Sequence, residues 1–227
     1  MPAAPVELNG AHLLLDPSGA LYWRDHGLLA VADLHLEKGS AFARRGTLLP
    51  PYDTAATLEG LARTLRRWRP RAVVCLGDSF HDKDGPGRLD HGDRSRLSAL
   101  VAAHEWTWVT GNHDPGLPPE IGGRVAPELT VGRLAFRHEA VPGAAGEVSG
   151  HFHPKAAVAT RARRITGRCF VTDGRRLVLP AFGAYAGGLD VLDPAISSLL
   201  RRRFLAFLLG RDRLYAFPRD QLLPIAA

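Results

Sequence analysis

Short apolar runs recur along the first half of the chain and are separated by polar segments, a pattern that predicts strands alternating with helices. Leu58, Leu61 and Leu65 recur at helical spacing, so we predict a helix that Asp53 caps and that ends near Trp68. A second helix is predicted over residues 93–104, after a polar loop at 78–92. The predicted strands of this half cover residues 12–15, 20–23, 28–32, 72–76 and 106–110. Strands that alternate with helices indicate an α/β sheet.

Helical signals fade after Gly111, and the second half is predicted to be rich in strands. Asp173 and Gly174 are predicted to form a two-residue hairpin turn, and a similar pattern recurs around residues 210–213. The predicted strands of this half cover residues 134–137, 147–149, 168–172, 175–179, 204–209 and 214–217. No repeat or interdomain linker is evident, so residues 1–227 are predicted to form a single domain.

Composition places the chain among ordinary globular proteins, with 45% hydrophobic and 23% charged residues. No apolar run approaches the roughly 18 residues needed to span a bilayer, and the N-terminus lacks the features of a signal peptide. We therefore expect a cytoplasmic protein without a membrane partner. Cys75 and Cys169 lie in apolar runs without a CxxC motif, which argues against a disulfide framework or a thiolate zinc site.

The net charge of +6 is unevenly distributed. Residues 155–219 contain 13 basic and 4 acidic residues, whereas the rest of the chain contains 16 basic and 19 acidic residues. Such an excess is typical of a solvated surface as well as of a phosphate-binding one, so by itself it is a weak indication of an acidic partner.

Five short polar motifs each follow a predicted strand directly. Open α/β sheets bind ligands at the carboxyl ends of their strands, so these motifs are expected to converge. Within Asp33/His35 and within His151/His153, the two-residue spacing places both side chains on one side of an extended segment. Carboxylate, imidazole and amide ligands together suit manganese, iron or zinc. The motifs are Asp33-Leu34-His35, Gly77-Asp78, Gly111-Asn112-His113-Asp114, His138 and Gly150-His151-Phe152-His153.

Each motif taken alone has an ordinary structural explanation, such as a turn or a satisfied polar pair. Their order and their placement at strand ends favour a metal site instead. His12, His26, His91 and His104 fall outside the motifs and are interpreted as structural or surface residues.

The set resembles the calcineurin-like metallophosphoesterases, whose pattern is D-x-H, G-D, G-N-H-[DE], H and G-H-x-H. The resemblance implies a four-layer αββα sandwich with mixed central sheets and two divalent metal ions that share one carboxylate. It assigns Asp33, His35, Asp78 and His153 to the first ion and Asp78, Asn112, His138 and His151 to the second, with Asp78 as the bridge. Two such ions, roughly 3.5–4 Å apart, convert a bridging water into a hydroxide that attacks the phosphoester in line.

His113 follows a predicted ligand without being one itself. It is therefore placed to stabilise the phosphoryl oxygens or to protonate the leaving oxygen. Asp114 either orients His113 or serves as a turn carboxylate.

One departure from the family pattern concerns the substrate. Many members read G-D-x-x-D-R, whereas this chain has His81 and Asp82 at the last two positions. The substitution argues against a phosphoprotein substrate, which would need the arginine. His81 either contacts a phosphate group or is an ordinary loop residue.

A closer resemblance, to the bacterial ligase-associated DNA-damage-response endonucleases, covers most of the chain. It is carried by residues 33–39, 45–54, 76–82 and 179–185. It implies a manganese-dependent phosphodiesterase and DNA endonuclease that acts on single-stranded, nicked or branched DNA in DNA repair. It also implies a functional association with a DNA ligase, a helicase and an exonuclease-like protein.

The chain's lysines fit a DNA substrate, because Lys38, Lys83 and Lys155 all lie within five residues of a predicted ligand. Arginines at positions 44, 45, 161, 163 and 164 are candidates to extend this surface, although no basic segment interleaved with aromatic residues indicates base stacking. Two alternatives stay open: a phosphodiesterase or phosphatase for small molecules, and a catalytically silent scaffold of the same fold.

Overall fold

Two mixed β-sheets pack face to face in the computed structural model, which describes residues 3–161 and 163–225. The first sheet has seven strands in chain order, antiparallel up to the fourth strand and parallel from there on. Its strands are β1 (Ala4–Leu8), β2 (Ala11–Leu15), β3 (Leu21–Trp23), β4 (Leu28–Val31), β5 (Ala72–Leu76), β6 (Glu105–Val109) and β7 (Arg124–Ala126).

The second sheet has nine strands: seven follow the order β15-β14-β12-β13-β10-β9-β8, β11 pairs with β12, and β16 pairs with β11. The strand β10 is parallel to both of its neighbours, β9 and β13, whereas the remaining pairs are antiparallel. The strands are β8 (Glu128–Val131), β9 (Leu134–Arg137), β10 (Glu147–Ser149), β11 (Lys155–Ala159), β12 (Arg164–Thr172), β13 (Arg176–Val178), β14 (Leu205–Leu209), β15 (Leu214–Pro218) and β16 (Leu222–Leu223).

Both faces of the central strands are buried. Alternate residues point to opposite sides of the sheet, and each side packs against another layer. In β5, Val74 and Leu76 face the core between the sheets, whereas Val73 and Cys75 pack beneath the helices. The second sheet shows the same alternation, and its outer face is covered mainly by irregular chain between residues 189 and 200. The predicted α/β sandwich is therefore confirmed, and its fourth layer contains little helix.

Five α-helices are present in the described residues, and α2 spans the residues predicted for it, from Asp53 to Trp68. The predicted cap is wrong: Asp53 is the first residue of the helix, and its carboxylate accepts a 3.0 Å hydrogen bond from the backbone N–H of Gly39 instead of capping α2. The helix α4 begins two residues earlier than predicted, because the side chain of Asp90 caps it by accepting a 2.8 Å hydrogen bond from the backbone N–H of Asp93. The short helices α1 and α3 lie in segments predicted as loops. The bounds are α1 (Lys38–Arg44), α2 (Asp53–Trp68), α3 (Gly85–Arg88), α4 (His91–Ala102) and α5 (Pro194–Ser197).

The predicted two-residue turn at Asp173-Gly174 is wrong. Thr172 pairs with Leu177, so four residues lie between the paired positions instead of two. The Asp173 carboxylate accepts hydrogen bonds from the backbone N–H groups of Arg175 and Arg176, which widens the turn.

The carboxyl ends of the parallel strands meet at one edge of the sandwich. Here the sheets are joined by a bridge between Ala32 and Ala181 and by a 3.0 Å hydrogen bond between His138 Nδ1 and the Leu76 carbonyl. In the described residues, no helix has both the length and the apolar character that crossing a membrane requires.

Candidate metal centre

Two groups of potential metal ligands lie side by side at this edge. Asp33, His35 and His153 form the first group, and Asp78, His138 and His151 form the second; within each group the ligand atoms lie within 4.8 Å of one another. The two groups adjoin, since His138 Nδ1 is 3.7 Å from Asp33 Oδ1. The structure thus brings together six of the seven residues predicted to bind metal.

The distances within each group suit ligands that point at a common ion. In the first group, His35 Nε2 and His153 Nε2 are 3.1 Å apart, and Asp33 Oδ1 is 3.5 Å from the latter atom. In the second, His138 Nε2 lies 3.1 Å from His151 Nδ1 and 3.5 Å from Asp78 Oδ2. Imidazole and carboxylate groups in this arrangement are the donors that divalent transition metals prefer.

Two of the ligand histidines, His35 and His151, have lowered pKa values, which favours the neutral form that binds metal. Burial lowers the pKa of His35 to about 2, and repulsion from His153 and from other nearby cationic groups adds to this effect. Burial and His138 likewise lower the pKa of His151. The residues present therefore fit a pair of divalent ions.

The backbone at the ligands adopts a conformation that side chains normally avoid. Asp33, His35, Asp78, His151 and His153 all have φ between +44° and +70°. This left-handed conformation costs roughly 1–2 kcal/mol per non-glycine residue. Its concentration at the ligands is typical of a functional site whose geometry the surrounding fold imposes.

The glycines of the motifs provide space for the ligands. A Cβ atom on Gly77 would overlap the ring of His138, and one on Gly150 would lie 2.5 Å from Asp33 Oδ2. A side chain at either position would displace a ligand, which explains why glycine precedes Asp78 and His151.

Asp114 lies behind the centre and joins two of its loops. One carboxylate oxygen accepts hydrogen bonds from the backbone N–H groups of Ser79 (2.7 Å) and Phe80 (3.1 Å), and the other accepts one from Gly111 (3.2 Å). Burial raises the pKa of Asp114 to about 6, although these N–H groups act in the opposite direction. Its hydrogen bonds favour the turn-carboxylate interpretation over an orienting contact with His113.

His113 is held at the mouth of the centre by the loop that carries His81. Its Nδ1 atom lies 2.7 Å from the His81 carbonyl oxygen and must therefore donate a proton to it. Its Nε2 atom lies 3.9 Å from Asp78 Oδ2, and 44% of the side chain is exposed. His113 is thus reachable from solvent on the side that faces the ligands.

His81 lies at the centre and is not a remote loop residue. Its ring stacks on His113 with centroids 5.3 Å apart and meets the edge of His35 at 5.7 Å. Burial, followed by the charges of Lys38 and His113, lowers the pKa of His81.

The remaining predicted residues differ in how closely they approach the centre. Asn112 is exposed, and its neighbour His113 donates its backbone N–H to Asp78 Oδ1 at 2.9 Å. Lys38 is half-buried, donates to the Tyr185 carbonyl at 3.0 Å, and has a pKa lowered by burial and partly restored by Asp53. Lys83 is exposed, and Lys155 begins β11 with its side chain against Gly188.

Sequence reasoning missed Arg88. Its guanidinium binds both carboxylate oxygens of Asp82, at 2.8 and 2.9 Å, and its Nε donates to Ser40 Oγ at 2.8 Å. Burial raises the pKa of Asp82, but the hydrogen bond and charge of Arg88 outweigh this and hold the pKa below its ordinary value. The Arg88–Asp82 pair fixes the loop that carries His81. Sequence patterns did not reveal it, because no local pattern pairs residues six positions apart.

Comparison with known families identifies the fold and the class of chemistry. A model of the calcineurin-like phosphoesterase family matches residues 27–176, which include both ligand groups. The chain belongs to the calcineurin-like phosphoesterase family. The protein is accordingly a phosphoesterase hydrolase of a family that uses divalent metals, and the structure supplies two candidate sites for them.

The solved structures similar to this member of the calcineurin-like phosphoesterase family include a nuclease and a phosphoesterase. The crystal structure of the Pseudomonas putida nuclease MPE matches with a TM-score of 0.75 at 27% identity, covering 95% of this chain and 100% of that chain. The E. coli phosphoesterase Yfce matches with a TM-score of 0.42 at 13% identity, covering 84% and 97% of the two chains. No curated protein matches the sequence.

Proposed function

We propose that the protein is a dinuclear metal-dependent phosphodiesterase that acts as a DNA endonuclease in DNA repair. The observation that carries this proposal is the pair of adjoining ligand groups in a chain that matches the nuclease MPE over 95% of its length. Both groups are complete in their acidic and histidine ligands, which argues against a silent scaffold.

Asp33, His35, Asp78 and His153 would hold one ion, and Asp78, Asn112, His138 and His151 the other. The grouping of six of these residues supports the assignment. A mixed imidazole, carboxylate and amide set suits manganese, with iron or zinc as alternatives. When bound, two such ions supply a nucleophile from water and neutralise charge on the phosphoryl oxygens.

The side chains around the ions serve the leaving group and the phosphate. His113 presents its exposed Nε2 edge toward the ligands while the His81 carbonyl orients the ring, so it can protonate the leaving oxygen or hydrogen-bond to a phosphoryl oxygen. The His81 ring lies against His113, and Lys38 adds positive charge beside His81. Asp114 is a positioning residue for the loops of Asp78 and His113.

The DNA substrate is inferred from the similarity to a nuclease and from the cations near the centre. Lys38, Lys83 and Lys155 would contact phosphates of single-stranded, nicked or branched DNA. A DNA ligase, a helicase and an exonuclease-like protein are the proposed functional partners, in the cytoplasm.

An activity panel tests this proposal. Plasmid DNA, single-stranded DNA, RNA and methyl p-nitrophenyl phosphate are each incubated with the protein and manganese, iron, zinc or magnesium. We expect manganese-dependent DNA cleavage that weakens as salt rises, because phosphate contacts release counterions. Hydrolysis of the small diester without any DNA cleavage at low salt would instead establish the small-molecule phosphodiesterase.

A further inference from the structure

A rim of large side chains, three aromatic and one aliphatic, lies on α1, on the loop between α1 and α2, and on the loop that follows β13. We define it as Phe42, Leu48, Tyr52 and Tyr185. The Tyr185 hydroxyl donates to the Pro50 carbonyl at 3.2 Å, and the Tyr185 carbonyl accepts from Lys38 Nζ at 3.0 Å. The loop between α1 and α2 is thereby joined to the loop that follows β13.

The rim adjoins the centre through Lys38 and Phe42. The Phe42 ring centroid lies 5.6 Å from that of His81 and 5.8 Å from Lys38 Nζ, whose charge also acts on His35. Tyr52 precedes α2, whose first residue, Asp53, accepts a 3.0 Å hydrogen bond from the backbone of α1. Tyr52 is thus held next to the helix that follows the His35 motif.

Two large side chains of the rim are exposed to solvent to an unusually high fraction. Leu48 is 86% exposed and Tyr52 is 68% exposed, whereas every other exposed large hydrophobic residue in the described ranges is at most 48% exposed. Lys38, Arg44 and Arg45 lie on the adjacent helix α1 and at its end. Apolar surface bordered by cations beside a phosphoesterase centre suits a ligand that is anionic along its backbone and flat and apolar along its bases.

We propose that the rim binds an unpaired nucleobase of the DNA strand whose phosphate lies at the metal centre, with Tyr52 stacking on the base and Leu48 packing beside it. This inference rests on the proposed nuclease function. Aromatic stacking on single-stranded nucleic acid is tolerant of sequence, because every base has a flat π-face. A base inside a duplex has no free face to offer, so the rim selects strands that are unpaired near the cleaved phosphate.

The test compares Tyr52→Ala and Tyr52→Trp with Tyr215→Ala. Tyr215 is a matched control because it is 48% exposed, lies 5.8 Å from an arginine, and belongs to β15, four strands away from β10. The measured quantity is kcat/KM on a single-stranded oligonucleotide divided by kcat/KM on methyl p-nitrophenyl phosphate, which has no nucleobase. We expect this ratio to fall roughly 5- to 150-fold in Tyr52→Ala, mainly through KM, and to be retained in Tyr52→Trp.

Several results would overturn the inference. An unchanged ratio in Tyr52→Ala excludes base binding, and an equal loss on both substrates indicates a merely structural role. A ratio that falls as far in Tyr215→Ala means that the effect is not specific to the rim. A change of oligomeric state in Tyr52→Ala by light scattering, with the ratio intact, makes the rim a protein interface. Wild-type protein that hydrolyses the small diester but cuts no DNA refutes the proposed function itself, and this inference falls with it.

Discussion

Replacing Asp114 with alanine removes a carboxylate that two loops of the metal centre share. The change leaves three backbone N–H groups, those of Ser79, Phe80 and Gly111, without the acceptor that the native structure provides. Asp114 is only 2% exposed, so water reaches these groups poorly. The Asp114→Asn substitution keeps one acceptor oxygen and is therefore expected to have an intermediate effect.

The expected loss of stability follows from these three bonds. A hydrogen bond to a charged group contributes about 1.5–3 kcal/mol, which for three independent bonds would sum to several kcal/mol. The bonds share one carboxylate, the loops can relax, and burying the charge is itself costly, so we expect about 3 kcal/mol for Asp114→Ala and about half of that for Asp114→Asn. Since the loops carry Asp78 and Asn112, metal affinity should also fall about 10- to 100-fold.

Urea unfolding in the presence of a chelator measures the first effect, and calorimetric titration with manganese measures the second. Asp212→Ala, which alters an exposed aspartate in the turn between β14 and β15, serves as the control and should change neither quantity. An Asp114→Ala protein whose stability stays within about 0.5 kcal/mol of wild type, with unaltered manganese affinity, would refute the role assigned to this carboxylate.

Three further predictions concern other residues. Asp78→Ala should reduce phosphodiesterase activity more than roughly 100-fold and lower the bound metal measured by mass spectrometry, because it removes the proposed bridge; two retained ions with full activity would contradict this. His113→Ala should lower kcat about 10²- to 10⁴-fold with both ions still bound, and loss of the metals would contradict its role in proton transfer. Burial raises the pKa of Asp173, but the N–H groups of Arg201, Arg176 and Arg175 outweigh this and hold it low. Its carboxylate therefore stabilises the fold at neutral pH, and this contribution is lost as pH falls below about 4, through the folded-state pKa. The urea midpoint of wild type should accordingly exceed that of Asp173→Asn at pH 7, and the difference should shrink toward pH 3; a constant difference would exclude this linkage.

Helices long enough to show a repeating hydrophobic pattern could be predicted from the sequence, whereas very short helices could not. The leucine spacing in α2 predicts that this segment is a helix, because one helical face must pack on the sheet. The helix α1 has seven residues and α3 has four, too few for a hydrophobic periodicity to be recognised, so the sequence predicts loop at both. At the hairpin turn, Asp173 also binds the backbone of Arg201, 28 residues away, which a local turn pattern does not contain.

The metal motifs were predictable because a ligand set has fixed chemistry and because strand ends converge in an open α/β sheet. The sequence therefore determined which acidic and histidine side chains would meet, including His35 and His153, which lie 118 residues apart. It did not determine the environment behind them, since no spacing rule relates Asp114 to Ser79 or Arg88 to Asp82.

By itself the sequence determined the two longest helices, the set of candidate ligands and eleven of the sixteen strands in the described residues, because each depends on local periodicity or on residue chemistry. It did not predict β1, β7, β8, β11 or β16. Only the tertiary structure decided that His81 stacks on His113, that Asp114 joins two loops, and that Phe42 lies beside His81. These relations arise from packing between segments distant in the chain, where the contact depends on how sheets and loops fit together and leaves no repeating pattern in the sequence.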